Sequence, residues 1–146
     1  MSNKKLAAII VACTIAIIVA IVLVVVKPWD GTPPVVDGQP KELPAGSIAW
    51  DEAKYHVGER VTICGPVVDA TWASGSNGQP TFLNLGRSYP DPDRFTVVIW
   101  IQNRGNFPQA PEDYYLGKTI CVTGLIVEYK EIPEIEVEYP SEIQDP

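Results

Sequence analysis

Histidine occurs once in this chain, at His56, and no C-x2-C pair is present. These two shortages remove much of the metal and nucleophile chemistry open to a protein of this size. A structural zinc site needs four Cys or His ligands at characteristic spacing. A Ser-His-Asp or Cys-His centre needs its imidazole beside the right nucleophile, and nothing in the spacing around His56 suggests one. His56 reads as a solvated residue at a helix end. The G-x-x-x-x-G-K-[ST] loop is also missing, so phosphates have no dedicated glycine cradle. Asp91-Pro92-Asp93 lacks the pattern of a calcium loop and reads as a turn. Glu134, Glu136 and Glu138 share one strand parity. A solvated, aggregation-resistant face explains them better than paired acids or a metal site. No motif gathers acidic and basic groups as a nuclease centre requires. The chain is expected to be non-enzymatic, with no cofactor and no metal.

Charge is missing from one long stretch. Leu6–Val26 runs for 21 residues without a charged residue or a proline. As a helix it would be roughly 30 Å long, enough to cross a bilayer. Lys4 and Lys5 precede it, Lys27 closes it, and Trp29 stands where an interfacial aromatic would stand. A cleaved signal peptide would have a shorter apolar core and an A-x-A-like site, which "LVVVKPWD" does not offer. Ile10-Val11-Ala12-Cys13 loosely fits a lipid-acylated cysteine, but the apolar run continues well past Cys13. An uncleaved anchor is the leading expectation, with cleavage and lipidation as the alternatives. Lys4 and Lys5 favour the cytoplasmic side, so the rest of the chain is expected outside the cytoplasm. This implies a single-pass protein of the cell membrane.

No acidic residue precedes Lys27; all 18 follow it. With nine basic residues after Val26, the outward part has a net charge of −9. Bulk attraction to polyanions is thereby excluded. "KPWDGTPPVVDGQPKELPAG" is rich in proline and glycine and reads as an extended linker. The expected organisation is an anchor over 1–27, a linker over 28–46 and a domain over 47–146.

The domain sequence is strand-like. Ile48–Tyr55 is a short helical candidate. Arg60–Thr71 is rich in β-branched residues, with a bend or bulge expected at Gly65-Pro66. Thr81–Leu85 and Phe95–Ile101 follow as short strands, and Asn106–Leu116 holds a possible short helix. Lys118–Tyr129 and Ile132–Tyr139 complete the set. Five strands with a helical insertion between the third and fourth give the element order of an OB-fold barrel, an all-β class with short helices.

The segments "GERVTICGPVVDATW", "PTFLNLGRSYPDPDRFTVVIW" and "GKTICVTGLIVEYKEIPEIEV" resemble the OB-fold nucleic-acid-binding-like domain of secreted and membrane-anchored bacterial proteins. That domain is similar to anticodon-binding OB-folds and sometimes accompanies nuclease domains. The resemblance covers about Ala49–Ile143. It departs at Glu131, where the family commonly has glycine after "YK". It implies that the first and fourth strands are neighbours. If Ile63, Ile120 and Val122 face the core, Cys64 and Cys121 lie on the outer layer of those strands. There they either form a cross-strand disulfide or remain two half-buried thiols.

OB-folds bind on the second and third strands, flanked by the loops after the first and fourth. If Leu83 and Leu85 point inward, Phe82 and Asn84 point outward, and Phe82 offers a stacking platform. Trp72 ends the first strand. Arg87 and Arg94 flank the turn that contains Tyr89, and Tyr129 and Lys130 follow the fourth strand. Aromatic rings and guanidinium groups are what a single strand of DNA or RNA needs. The expected ligand-binding set is therefore Trp72, Phe82, Asn84, Arg87, Tyr89, Arg94, Tyr129 and Lys130. The expected function is a membrane-anchored module for single-stranded nucleic acid or nucleotides. A surface module that binds protein or glycan, or serves structure alone, is the alternative.

Overall fold

The computed structural model describes residues 43–146. The run Leu6–Val26 read as a membrane anchor, Cys13 and most of the linker lie outside the described residues. Among the described residues no helix is long and apolar enough to cross a membrane.

The described chain is mostly β-sheet with a few short helices. Strand β1 (Ile48–Ala49) leads into a 3-10 turn, Trp50–Tyr55. Strands β2 (Arg60–Trp72), β3 (Thr81–Leu85) and β4 (Phe95–Ile99) follow. Two short helices come next, α1 (Ile101–Arg104) and α2 (Pro111–Tyr115). Strands β5 (Thr119–Leu125), β6 (Val127–Tyr129) and β7 (Ile132–Glu136) precede a last 3-10 turn and the short β8 (Ile143–Gln144).

The strands form one sheet in the order β6-β7-β4-β3-β2-β5-β8, with β1 paired to β2 off this path. Strand β2 pairs antiparallel with β5 from Arg60↔Leu125 to Pro66↔Thr119. Its second half pairs antiparallel with β3 from Val67↔Leu85 to Trp72↔Thr81. Strand β3 pairs antiparallel with β4, and β4 pairs parallel with β7. The segment after α2 breaks at Ile126. Before the break, β5 lies on β2; after it, β6 forms a hairpin with β7. Chain continuity through Ile126 links β5 to β6, which lie toward opposite ends of the strand order.

The core follows the two-residue period of strands. Leu83 and Leu85, Phe95, Val97 and Ile99, and Ile120 and Val122 are fully buried and fill the interior. Glycines permit close approaches here. A Cβ at Gly124 would stand 2.4 Å from Cγ2 of Ile135, where β5 and β7 draw together. At Gly86, with φ +72°, a Cβ would stand 2.0 Å from the Trp50 ring. A Cβ at Gly65 would likewise stand 2.6 Å from Cδ1 of Trp50, so Trp50 packs here only because neither glycine carries a side chain.

Several expected boundaries move. The short helix foreseen over Ile48–Tyr55 is present as a 3-10 helix over Trp50–Tyr55, and it starts two residues late because Ile48 and Ala49 pair in parallel with Ile63 and Cys64. The bulge falls between Val67 and Asp69, not at Gly65-Pro66, which keep regular register with β5. The third strand ends at Ile99, because Ile101 already begins α1. The last strand ends at Glu136, though Val137 still donates its N–H to the Val98 carbonyl.

Cys64 and Cys121 are directly paired across β2 and β5 and joined by a disulfide, with Cα atoms 4.1 Å apart. This is the close spacing of an antiparallel pair. Both cysteines are buried, so the outer layer here is covered and not solvent-facing.

Candidate functional site

One cleft of about 540 Å³ opens on the outer face of β2, β3, β4 and β7. That volume is in the range of small-molecule and cofactor sites. Its position depends on the bulge in β2. Val67 points into the core beside Leu85, and a regular strand would turn Asp69 inward as well. The extra residue, Val68, reverses the parity, so Asp69 faces out beside Asn84. A bulge that re-aims one side chain is a recurrent device beside binding sites.

The cleft floor is a polar row in strand register. Asp69 on β2 pairs with Asn84 on β3, Asn84 with Thr96 on β4, and Thr96 with Glu134 on β7. The Thr96 hydroxyl donates to Asn84 Oδ1 at 2.9 Å, and Asn84 Nδ2 donates to Asp69 Oδ2 at 2.8 Å. The Tyr89 backbone N–H donates to the same Asp69 oxygen at 3.1 Å. Asn84 and Thr96 are buried, and these bonds satisfy them. The next row along the strands carries Thr71 beside Phe82, which puts an aromatic ring within the cleft.

The rims carry aromatic and cationic groups. The Arg94 guanidinium lies 5.3 Å from the Tyr89 ring centroid, and its NH1 donates to the Asp91 carbonyl at 2.7 Å. Arg94 pairs with neither Asp91 nor Asp93 side chain; Asp93 instead lies 3.8 Å from Lys54 Nζ. Across the cleft, Lys130 Nζ is 5.2 Å from the Tyr129 ring. Lys130 and Glu131 form the two-residue turn between β6 and β7, with φ +50° and +67°. Such turns favour Asn-Gly, so two ordinary side chains here hold a costly left-handed backbone beside the cleft.

Glu134 is the unusual group. Burial pushes its carboxyl above the usual range, Glu136 adds to the rise, and Arg94 opposes it. Glu134 is half-buried and lines the cleft, which corrects the reading of this strand face as simply solvated. Glu136 and Glu138, on the same parity, are exposed.

The structure gathers Phe82, Asn84, Tyr89, Arg94, Tyr129 and Lys130 around this cleft. Two residues of the expected set lie elsewhere. Arg87 is exposed and does not line the cleft. Trp72 pairs with Thr81, on the opposite parity from Thr71 and Phe82, so it faces away. There it lies 4.4 Å from the Arg104 guanidinium, which makes a two-pronged ion pair with Glu112 at 2.6 and 2.7 Å. Asn84 is in the cleft, but as a structural tie rather than a free hydrogen-bonding group.

Sequence reasoning did not find Asp69, Thr96 or Glu134. The Asp69 orientation depends on a bulge that local residues do not announce. Glu134 had a signal, an acid in register with a buried strand, but this needed the parallel pairing of β4 and β7. Among the described residues no group of three or more His, Cys, Asp or Glu is arranged to hold a metal ion.

No family model matches this chain, and no curated protein matches it. Among solved structures it is similar to one described as an aspartyl-tRNA synthetase from Leishmania major Friedlin, at 16% identity and a TM-score of 0.44. That alignment covers 77% of this chain, and the chain spans 22% of that protein's length.

Proposed function

We propose that the described domain is an OB-fold barrel whose cleft binds single-stranded nucleic acid or a nucleotide, held outside the cytoplasm by the Leu6–Val26 anchor. The observation that carries the ligand reading is the placement of Phe82 within a cleft rimmed by Tyr89, Arg94, Tyr129 and Lys130. A ring in the cleft stacks a base, and cations at the rim meet its phosphates. The pairing order of the barrel supports the fold reading: β2–β3–β4, then β7 parallel to β4, then a return to β2 through β6 and β5. The module performs no catalysis in this reading.

The surrounding charge sets the ligand's length. The chain is strongly acidic, at −7 overall, and the cleft offers only Arg94 and Lys130 as cations. A long strand would run from these two groups onto a repelling surface. The proposed ligand is therefore a nucleotide or a short segment. Two phosphate contacts predict a shallow salt dependence, with a log–log slope of about −1.4.

The test is fluorescence anisotropy of a labelled mixed-sequence hexamer with the full chain in detergent, against a duplex of the same length. The reading expects single-strand binding that Phe82→Ala abolishes. Failure of every hexamer to bind at low salt would sink it. The anchor is tested separately by alkaline extraction of membranes, where release of the chain into the supernatant would contradict the membrane reading.

One observation favours a second reading. The row Asp69–Asn84–Thr96–Glu134 presents two carboxylates, an amide and one hydroxyl, which suit sugar hydroxyls, and OB-folds also take oligosaccharides. Binding to cell-wall oligosaccharides in place of hexamers would select that reading.

A further inference from the structure

The cleft has different chemistry at its rim and on its floor. Its cations, Arg94 and Lys130, sit beside Tyr89 and Tyr129 at the edges. Its acids, Asp69 and Glu134, stand at the two ends of the polar row across the floor. A phosphate is drawn to the rim and repelled by the floor. A base that stacks on Phe82 turns its edge toward groups that accept hydrogen bonds.

The floor's own bonds leave those acceptors open. The Thr96 hydroxyl gives its proton to Asn84, so toward a ligand its oxygen acts as an acceptor. Asp69 Oδ2 receives Asn84 and the Tyr89 N–H, while Oδ1 is left for another donor. Among the described residues no hydrogen bond supports the Glu134 carboxyl, whose shift comes from burial and neighbouring charges alone. A half-buried carboxyl without a donor gains from any N–H brought to it, because that bond offsets its lost hydration.

Nucleobases differ in what they present to such a floor. Cytosine carries an exocyclic amino group at C4 where uracil carries a carbonyl, and adenine carries one where hypoxanthine has oxygen. Glu and Asp characteristically accept from the amino group of cytosine. A carbonyl directed at the ionised Glu134 carboxylate would face a second acceptor, with no hydrogen between them. Single-stranded bases are open to reading on this edge because no complementary strand occupies it.

We infer that this cleft selects nucleobases bearing an exocyclic amino group over uracil and thymine, with Glu134 as the principal reading residue and Asp69 as its partner across the floor. The inference rests on the proposed single-strand reading and goes beyond it by naming the base class. Phe82 supplies stacking that every base shares, so it sets affinity. Glu134 sets preference. Lys130 and Arg94 hold phosphate and are indifferent to the base.

The experiment compares two hexamers that differ in this edge, oligo-dC and oligo-dU, by anisotropy with the full chain in detergent at neutral pH and low salt. The expected result is at least about tenfold tighter binding of the cytosine hexamer, the ratio that one good base contact supplies. Glu134→Ala should weaken the cytosine hexamer toward the uracil level and leave the uracil hexamer within about threefold of its starting affinity. Glu134→Gln, whose amide keeps the shape and presents both a donor and an acceptor, should bring the ratio toward one if the alanine variant does not fold. Equal binding of the two hexamers, or tighter binding of uracil, overturns the base preference and leaves the single-strand reading standing. Binding of neither hexamer overturns both. A preserved ratio in both Glu134 variants removes Glu134 as the reading residue.

Discussion

Arg94 and Arg104 each lie against an aromatic ring, yet they stand in opposite electrostatic settings. Arg104 is held by Glu112 through two bonds, reaches the Thr81 hydroxyl and packs on Trp72. Its side chain and that of Glu112 are only 16% and 17% exposed. Arg94 lies over Tyr89 but bonds only the Asp91 carbonyl, and among the described residues it forms no ion pair. One arginine is locked into the fold by an ion pair, and the other borders a cleft without one, its charge felt by Glu134 of the same cleft. An arginine beside an aromatic residue is therefore not in itself a sign of ligand binding. The acid that shares or withholds its charge decides.

The largest expected difference is in stability. Removing one partner of a largely buried, hydrogen-bonded ion pair leaves the other charge stranded. Glu112→Ala or Arg104→Ala should cost about 2–4 kcal/mol in urea unfolding. Arg94→Ala should change stability by no more than about 0.5 kcal/mol. Equal losses at the two sites would erase the distinction.

Ligand affinity should reverse the order. Arg94→Ala should loosen hexamer binding about tenfold, the weight of one charge-assisted bond, while barely moving the melting curve. A variant that binds as well as the starting protein would return Arg94 to a purely local role.

The acids of the two regions should respond to pH in opposite senses. The hydrogen bond from Arg104 holds the Glu112 carboxyl below the usual range. Its stabilising contribution is present above the ordinary carboxylate pKa and is lost as pH falls through the lower folded value. Burial raises the Glu134 carboxyl, so its contribution is complete below the ordinary value and is lost as pH rises through the higher folded one. Glu134→Gln should therefore flatten part of the decline in stability above about pH 4.5. Glu112→Gln should weaken the dependence below it. Unfolding titrations between pH 3 and 8, on the order of one point per half unit, would read both slopes.

The smallest expected effect lies in the turn beside the cleft. Glu131→Gly should stabilise the chain by about 1 kcal/mol, because glycine adopts the left-handed backbone without a Cβ penalty. Hexamer affinity should stay within about twofold, because Glu131 itself does not line the cleft. A destabilised variant would show that Glu131 makes a compensating contact.

Much of this contrast follows from which features are local. The alternation of Leu83 and Leu85, and of Phe95, Val97 and Ile99, is written in short windows, so these strands and the outward Phe82 were legible. The neighbourhood of Tyr129 and Lys130 was legible because a strand pattern ends there, although Tyr129 closes strand β6 and only Lys130 lies in the turn. The place of Trp72 outside the cleft was not legible, because Arg104, whose guanidinium lies on its ring, is 32 residues away along the chain, in a helix whose packing no local pattern reveals. Asp69 was invisible because one bulged residue reverses its face. Glu134 was read as wet because its strand alternates cleanly, and only the pairing with Thr96 draws it into the cleft.

The most direct test follows backbone amide signals of the isotopically labelled full chain, in detergent, as an oligo-dC hexamer is added. The account predicts shifts centred on Phe82, Asn84, Tyr89, Tyr129 and Lys130, with Trp72, Thr81 and Arg104 unmoved. Shifts centred on Trp72 and Arg104, or no shifts at saturating hexamer, would contradict it.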